Sequence, residues 1–129
     1  MIEPIPEQTE AVVTAVIDAA FHVHNALGPG LLESVYEACL CHEFSRRGLP
    51  FERQLQLPIV YEGLRLESGL RLDLVVANCV LVELKHVEKV LPVHKAQLLT
   101  YLKLTGHRVG LLLNFNVERI KEGIHRVVR

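Results

Sequence analysis

The sequence predicts an α+β domain, because stretches with helical periodicity and stretches with strand periodicity follow one another in separate blocks. Apolar residues recur every three or four positions over residues 8–26, 31–46 and 92–105. Between the second and third of these segments they alternate every two residues, and residues 109–113 form an uninterrupted apolar run. The predicted order is therefore α-α-β-β-β-β-α-β. With 129 residues, 50% of them hydrophobic, the chain is long enough for one core, and we expect a single domain over residues 1–129.

Each predicted helix ends at residues that suit its terminus. Gly28-Pro29-Gly30 stops the first helix, since glycine and proline interrupt the helical backbone. Arg46-Arg47-Gly48 ends the second, with basic residues that suit the carboxyl end of the helix dipole and a glycine that accepts a left-handed conformation. Pro92 suits the first turn of the third helix, and Gly106 stops it.

The strand predictions rest on apolar alternation with a period of two. Four strands precede the third helix, at residues 55–61, 64–66, 70–76 and 80–85. Glu62-Gly63 is typical of a tight turn between the first two, and Ala77-Asn78-Cys79 joins the last two into a second hairpin. Pro58 places the first strand at an edge of the sheet, because proline cannot donate a ladder hydrogen bond. The run at 109–113 predicts a strand buried on both faces, and residues 117–129 predict a short helix and tail.

Composition and charge exclude several classes of protein. The net charge of -1 argues against coating of nucleic acid through bulk electrostatics, although it allows a local basic patch. No stretch reaches the roughly 18 apolar residues of a membrane span, and the acidic start does not resemble a signal peptide, so we expect a cytoplasmic protein. The three cysteines lack paired spacing, which indicates reduced thiols rather than a disulfide framework or a zinc site.

The second predicted hairpin brings charged side chains together. In its second strand Glu83 and Lys85 share a face, because successive side chains of a strand alternate sides. In its first strand the apolar side is formed by Leu70, Leu72, Leu74 and Val76. Arg71 and Asp73 therefore lie on the opposite side, and a turn centred on Asn78 places Asp73 directly across from Glu83.

Two opposed carboxylates repel each other unless a positive charge lies between them. Mg²⁺ suits such a pair, since it binds one or two carboxylates and keeps its other positions for water and phosphate. Lys85 could then orient or deprotonate the attacking water and stabilise the charge that develops on phosphorus. The alternative is a solvated salt-bridge lattice with Arg71 across from Lys85, and the spacing alone does not decide between them. The apolar residues that precede Glu83 in its strand favour the metal site, because charges in such a context are seldom incidental.

The arrangement resembles the motif of the PD-(D/E)xK nuclease superfamily, in which an aspartate on one core strand is followed by a (D/E)-x-K sequence on the next. Here Asp73 is followed by ELK at residues 83–85, with Leu72 in place of the proline. Two motifs resemble the bacterial GxxExxY family and the QxxxY element of the RecB-like branch, respectively: GLLESVY at 30–36 and QLLTY at 97–101. Two further segments resemble that family's surrounding sequence: HNALGPG at 24–30 and GLLLNF at 110–115.

The resemblance implies a restriction-endonuclease-like core, with a central mixed β-sheet flanked by helices, and a site for Mg²⁺ or Mn²⁺. The expected metal ligands are Asp73, Glu83, the backbone carbonyl of Leu84, and Glu33 directly or through water. The expected catalytic residues are Glu33, Asp73, Glu83, Lys85, Gln97 and Tyr101. Lys85 takes the water-activating role in this scheme. Gln97 and Tyr101 position water or the phosphate, and their four-residue spacing places them on one helix face.

Several of these residues have a purely structural alternative. Glu33 in the first turn of a helix could simply complement the helix dipole. Tyr36 and Tyr101 could be core aromatics whose hydroxyls reach the rim of the site, which we favour for Tyr36. His94, one turn before Gln97, could contact substrate, although a surface histidine without a role is the simpler interpretation.

The sequence thus predicts a metal-dependent nuclease that hydrolyses phosphodiester bonds through a Mg²⁺-activated water. Its expected partner is nucleic acid, DNA rather than RNA, and no membrane. Seven basic residues could form a rim for the substrate: Arg46, Arg47, Arg53, Arg71, Lys89, Lys95 and Arg108. So small a domain has little surface for reading sequence, which favours structure-specific or single-stranded substrates, a homodimer, or a larger assembly. The alternative function is a catalytically silent nuclease-fold module that acts in protein interaction or dimerisation.

Overall fold

The computed structural model describes residues 3–129, and Met1 and Ile2, which the single-domain prediction includes, lie outside the described part. The helices are α1 (Glu7–Leu27), α2 (Glu33–Arg46) and α3 (Pro92–Thr105), with a 3₁₀-helix at Ile120–Gly123. The strands are β1 (Phe51–Tyr61), β2 (Leu64–Val76), β3 (Val80–Lys85), β4 (Val109–Asn114) and β5 (Ile124–Val128). Within residues 3–129, no helix combines the length and the apolar character that crossing a membrane requires.

The strands form one mixed sheet of five in the order β1-β2-β3-β4-β5. β1 pairs with β2 and β2 with β3 in antiparallel hairpins, β3 runs parallel to β4, and β5 returns antiparallel to β4. α3 connects β3 to β4, since two parallel neighbours need a crossover between them. The predicted fold class, an α+β domain with a central mixed sheet flanked by helices, is confirmed.

Two apolar clusters lie on opposite faces of this sheet. The larger one joins α1 and α2 to one set of alternate residues in β3 and β4: Val80, Val82, Leu84, Val109, Leu111 and Leu113. The smaller one joins Leu98 and Leu102 of α3 to Leu81 of β3 and Leu112 of β4. The side chains of Leu81 and Leu112 point to the opposite face of the sheet from those in the larger cluster. By alternation Glu83 belongs to the same face as Leu81, so α3 covers the face on which the predicted acidic pair lies.

The two hairpin turns have the backbone that short hairpins need. Glu62 and Gly63 both have positive φ, at 45° and 87°, and so do Ala77 and Asn78, at 50° and 53°. Two consecutive residues of positive φ match the right-handed twist of the strands that they connect. Both predicted turns are therefore confirmed. β1 is an edge strand, as Pro58 predicts, and its pairing with β2 shifts register at this proline.

The structure differs from the predicted strands at β1, which begins at Phe51 instead of residue 55, and at β2, and it contains a strand in the predicted C-terminal tail. Residues 64–66 and 70–76 belong to a single strand, β2, because β1 pairs with it along nearly its whole length. The segment 117–129 forms the 3₁₀-helix and β5 instead of a helix and tail. β5 supplies the hydrogen-bonding partner that the open side of the buried strand β4 needs. The observed order of helices and strands is α-α-β-β-β-α-β-β.

β2 changes sides at Asp73. Leu70 and Leu72, which precede it, pack in the cluster with α3, whereas Leu74 and Val76, which follow it, pack in the cluster with α1 and α2. The prediction that all four leucine and valine residues form one apolar side is therefore wrong. The change coincides with Gln54 of the facing strand β1, which has a left-handed backbone. Regular alternation of side chains along a strand does not predict such a change of side.

Candidate metal centre

The β2–β3 ladder ends just before the predicted acidic pair. Its last backbone pair is Leu74↔Val82, and the same register continued places Asp73 across from Glu83, as the sequence predicts. Beyond this pair, hydrogen bonds from backbone N–H groups to side-chain carboxylates take the place of the backbone–backbone ladder. The Asp73 N–H donates to Glu83 Oε1 over 3.2 Å, and the Leu84 N–H donates to Asp73 Oδ2 over 2.9 Å. The two carboxylates therefore lie in the gap where β2 and β3 part.

Both carboxylates are buried, with 7% of Asp73 and 6% of Glu83 exposed. Burial and the negative charge of Asp73 raise the pKa of Glu83 to about 8, and Lys85 opposes the rise. Two close, buried carboxylates cannot both ionise cheaply unless a cation neutralises them. Their charge and their oxygen donors suit a hard divalent cation such as Mg²⁺, so the residues present fit the metal that the sequence predicts.

Glu33 and the Leu84 carbonyl are the other expected metal ligands. Glu33, the first residue of α2, is exposed and lines a cavity of about 380 Å³ together with Asp73. Partial burial of its carboxyl group and the charge of Asp73 raise the pKa of Glu33, so the two acids influence each other. Within residues 3–129, however, no three His, Cys, Asp or Glu side chains form a group that could hold a metal ion. Asp73 and Glu83 are thus the centre of the candidate site, and the roles of Asp73, Glu83, Leu84 and Glu33 as metal ligands stay predictions.

α3 brings two further predicted residues toward the acidic pair. The Lys85 ammonium donates a hydrogen bond to Gln97 Oε1 over 3.2 Å. Tyr101 lies about one turn after Gln97 on α3. Burial and the negative charges of Glu83 and Asp73 raise its pKa. Gln97 and Tyr101 therefore approach the candidate site from one side of α3, as their spacing predicts.

The salt-bridge lattice that the sequence left open is not found. It requires β2 and β3 to stay paired far enough to set Arg71 against Lys85, but the ladder ends before that point. Among residues 3–129, no ion pair involves Arg71, Asp73, Glu83 or Lys85. Because the strands part, Lys85 binds Gln97 of α3 while Arg71 lines the cavity beside α2.

Sequence reasoning missed Glu37 and Gln54, which line the same cavity. The buried Glu37 carboxylate accepts hydrogen bonds from Arg53 over 2.8 Å and from the Gln54 amide over 2.6 Å. Gln54 lies between Arg53 and Leu55, whose partners Leu74 and Leu72 flank Asp73. Its backbone is left-handed, with φ of 52°, and the hydrogen bond to Glu37 helps to hold it. The four-residue spacing from Glu33 is a signal that could have found Glu37, whereas the backbone of Gln54 leaves none in the sequence.

Tyr36 supports the α1–α2 junction from inside the core. The residue is only 1% exposed, and its ring stacks on Phe115 with centroids 4.6 Å apart. Its hydroxyl donates to the Gly28 carbonyl over 2.6 Å and accepts from the Leu31 N–H over 3.1 Å. It thereby closes the loop that leads into α2 at Glu33, and the core interpretation of Tyr36 is confirmed.

Asn114 fixes the segment that follows β3. It is buried at the end of β4, where the parallel pairing sets it beside Lys85. Its side-chain oxygen accepts from the Val87 N–H over 3.3 Å, and its amide donates to the Val87 carbonyl over 2.8 Å. This role was not predicted from the sequence, although Asn114 lies in the motif at 110–115.

Most of the basic residues expected at a substrate rim are engaged within the chain. Arg46 and Arg47 pair with Glu43, Arg53 pairs with Glu37, and Arg108 donates to the backbone carbonyls of Glu3 and Arg129. Arg71, Lys89 and Lys95 form no ion pair within the described part of the chain. His94 accepts a hydrogen bond from the Leu91 N–H over 2.9 Å, which gives it a capping role at the start of α3.

Comparison with known protein families gives a match over nearly the whole chain. A family model described as the PD-(D/E)XK nuclease superfamily matches residues 10–127, which include the acidic pair and Lys85. No curated protein and no solved structure gives a significant match. Nucleases of this superfamily generally use divalent metal ions, and membership suggests phosphodiester hydrolysis and nucleic-acid binding. The chain belongs to the PD-(D/E)XK nuclease superfamily.

Proposed function

We propose that this protein is a nuclease that hydrolyses phosphodiester bonds, with DNA as its substrate and Mg²⁺ or Mn²⁺ as its cation. The observation that carries the proposal is the buried pair of Asp73 and Glu83 in the gap between β2 and β3. A purely structural role would not favour two carboxylates at this place, because burying them without a counter-charge costs free energy.

Asp73, Glu83, the Leu84 carbonyl and Glu33 would hold the cation. When bound, the cation would polarise the scissile phosphate and lower the pKa of a water molecule at the site. Backbone N–H groups already orient the pair, since each carboxylate accepts one of them through a single oxygen.

Lys85, Gln97 and Tyr101 would act on the water and the phosphate. An ammonium has three donors, and Lys85 uses one of them on Gln97, which fixes the direction of the other two. These can hold the attacking water and stabilise the charge that develops on the phosphate oxygens. Burial and the charges of the acidic pair raise the pKa of Tyr101. Its phenolic hydroxyl can donate to a phosphate oxygen.

Within the superfamily, we assign the chain to the GxxExxY family and its RecB-like branch. The positions of the motif residues support the assignment. Glu33 faces the cavity beside Asp73, and Tyr36 closes the loop before α2. Gln97 and Tyr101 of the QxxxY element approach the site from α3.

The proposal is tested with purified protein and labelled single-stranded, duplex and branched DNA and RNA, each with Mg²⁺, Mn²⁺ or a chelator. The wild type is expected to cleave DNA only when a cation is present. Asp73→Asn and Lys85→Met are expected to lower the rate about a hundredfold or more, since each removes a group that acts in the transition state. Arg65→Ala is the matched control, because this exposed arginine of β2 pairs with Glu67.

Equal cleavage by the wild type and the two site variants would contradict the proposal. Absence of cleavage on every substrate, together with absence of cation binding in calorimetry, would favour the alternative of a silent module for interaction or dimerisation.

A further inference from the structure

One guanidinium beside the acidic pair has no partner among residues 3–129. Arg71 is exposed and lines the cavity of about 380 Å³ between α2 and the β1–β2 hairpin. The other residues that line it are Glu33, Ser34, Glu37, Gln54 and Asp73. Within the described residues, the Arg71 side chain takes part in none of the ion pairs.

An arginine among acids normally pairs with one of them, but the buried acids here are already satisfied. Glu37 accepts from Arg53 and from Gln54. Asp73 accepts from the Leu84 N–H and lies against Glu83, with which it can share a cation. The guanidinium of Arg71 therefore keeps its donors for a ligand that is not part of the chain.

The parting of β2 and β3 keeps Arg71 and Lys85 from facing each other, although both lie near the acidic pair. Continued pairing would bring Arg71 and Lys85 together, but the ladder ends at Leu74↔Val82. The Lys85 ammonium donates a hydrogen bond to Gln97 of α3, whereas Arg71 lines the cavity together with residues of α2. A polyanion that crosses the acidic pair would therefore meet two separate cations, one bonded to Gln97 and one in the cavity.

We propose that Arg71 binds a phosphate group of the nucleic-acid strand in this cavity, beside Asp73 and at a different point from Lys85. The inference rests on the proposed nuclease function and adds a second point at which the substrate backbone is held. A guanidinium presents a planar fork that matches two oxygens of one phosphate. The Ser34 hydroxyl can donate to the same group.

The charge of the cavity is compatible with an anion once the acids are neutralised. Glu37 is paired with Arg53, and a divalent cation would balance Asp73 and Glu83. Arg71 then faces one remaining acid, Glu33, at the exposed start of α2. With these charges balanced, a phosphate bound between Arg71 and the acidic pair would meet no net negative charge from the residues that line the cavity.

The test measures binding separately from cleavage. Short fluorescein-labelled single-stranded DNA is titrated with the full chain in Mg²⁺, over a series of salt concentrations, and fluorescence anisotropy gives Kd. Lys85→Met serves as the background to prevent cleavage, and Arg71→Ala, Arg71→Gln, Arg71→Lys and Arg65→Ala are each added to it. Thermal melting by circular dichroism confirms that each variant folds.

Arg71→Ala and Arg71→Gln are expected to weaken binding about tenfold or more, since each removes a charge-assisted hydrogen bond. The slope of log Kd against log salt should fall by about 0.7, the value for one fewer neutralised phosphate on a single strand. Arg71→Lys should keep the slope but lose affinity, because it retains the charge without the fork. Arg65→Ala should match the background in both quantities.

Equal Kd and equal salt slope in the Arg71 variants and Arg65→Ala would overturn the inference, as would absence of DNA binding in the background itself. If the wild type nevertheless cleaves DNA through Asp73, the nuclease proposal stands without this phosphate site. If the salt slope depends on Arg71 but the wild type cleaves nothing, the phosphate site stands and the nuclease proposal fails.

Discussion

The Glu83 carboxyl lies buried against Asp73, and its pKa is raised from 4.5 to about 8 by burial and by the charge of that neighbour. Between these two values the folded protein without metal binds more protons than the unfolded chain. The free energy of unfolding therefore falls as pH rises through this window. We expect the melting temperature in the presence of a chelator to fall by several degrees between about pH 5 and about pH 8, as measured by scanning calorimetry.

Glu83→Gln is the control for this titration. It has nearly the same shape but no ionisable carboxyl, so its melting temperature should depend less on pH over the same window. A wild-type melting temperature that rises from pH 5 to pH 8 would contradict the assignment of a raised pKa to Glu83.

The Tyr36 hydroxyl is a second group whose effect can be isolated. Tyr36→Phe keeps the ring on Phe115 but leaves the Gly28 carbonyl and the Leu31 N–H without their partner. We expect a loss of about 1–3 kcal/mol in the free energy of unfolding, measured in urea. Tyr61→Phe, at a side chain that is 65% exposed, should change little. Equal losses in both variants would show that the buried hydroxyl contributes nothing specific.

At the scale of whole elements, the docking of α3 decides where Gln97 and Tyr101 lie. Gly110 of β4 lets the helix approach, since a Cβ at this position would lie 2.8 Å from Leu98 Cδ1. We expect Gly110→Ala to lower the free energy of unfolding by about 1–3 kcal/mol through overpacking. If α3 is displaced, the hydrogen bond from Lys85 to Gln97 is disturbed as well.

A double-mutant cycle tests this explanation for Gly110. Leu98→Ala removes the side chain that the new methyl group meets, so the double variant should be no less stable than Leu98→Ala alone. Urea denaturation of the two single variants and the double variant measures the coupling. Strictly additive losses would show that the contact between Gly110 and Leu98 does not set the helix position.

Elements were predictable from sequence where one periodicity ran without interruption. The three helices have clear apolar stripes and terminal glycine or proline residues, and the structure contains all of them. The extent of β2 was not predictable, because pairing with β1 over a long hairpin carries the strand through Ser68 and Gly69. β5 was missed for a related reason: its place is determined by the open side of β4, a long-range contact that no local pattern records.

At the scale of the whole molecule, cation binding and folding are linked. A cation that binds only the folded protein stabilises it by about 2.7 kcal/mol at a hundred times its Kd. We expect Mg²⁺ or Mn²⁺ to raise the melting temperature of the wild type by several degrees but to leave Asp73→Asn nearly unchanged. Calorimetric titration of both proteins supplies Kd independently. An equal rise in both proteins would mean that the cation binds elsewhere.

The candidate site was predictable to the extent that one hairpin forms it. The turn at Asn78 determines the register that opposes Asp73 and Glu83, so simple counting along the two strands found the pair. The separation of Arg71 from Lys85 was not predictable, because it depends on the strands parting and on β2 changing sides at Asp73. The hydrogen bonds between Asn114 and Val87 were not predictable either, because only the pairing of β3 with β4 brings these two residues together.

The tight turn at Ala77 and Asn78 also bears on the order of events in folding. Asp73 and Glu83 are separated by only 10 positions, so bringing them together closes a short loop at little entropic cost. Hairpins of this kind form within roughly microseconds, whereas α3 must complete a crossover before Gln97 reaches Lys85. The acids are therefore expected to meet while they are still hydrated, and to lose their water only when the helices dock. The free-energy cost of desolvating them, which includes proton uptake by Glu83, would then affect the late stage of folding rather than the first encounter of the two strands.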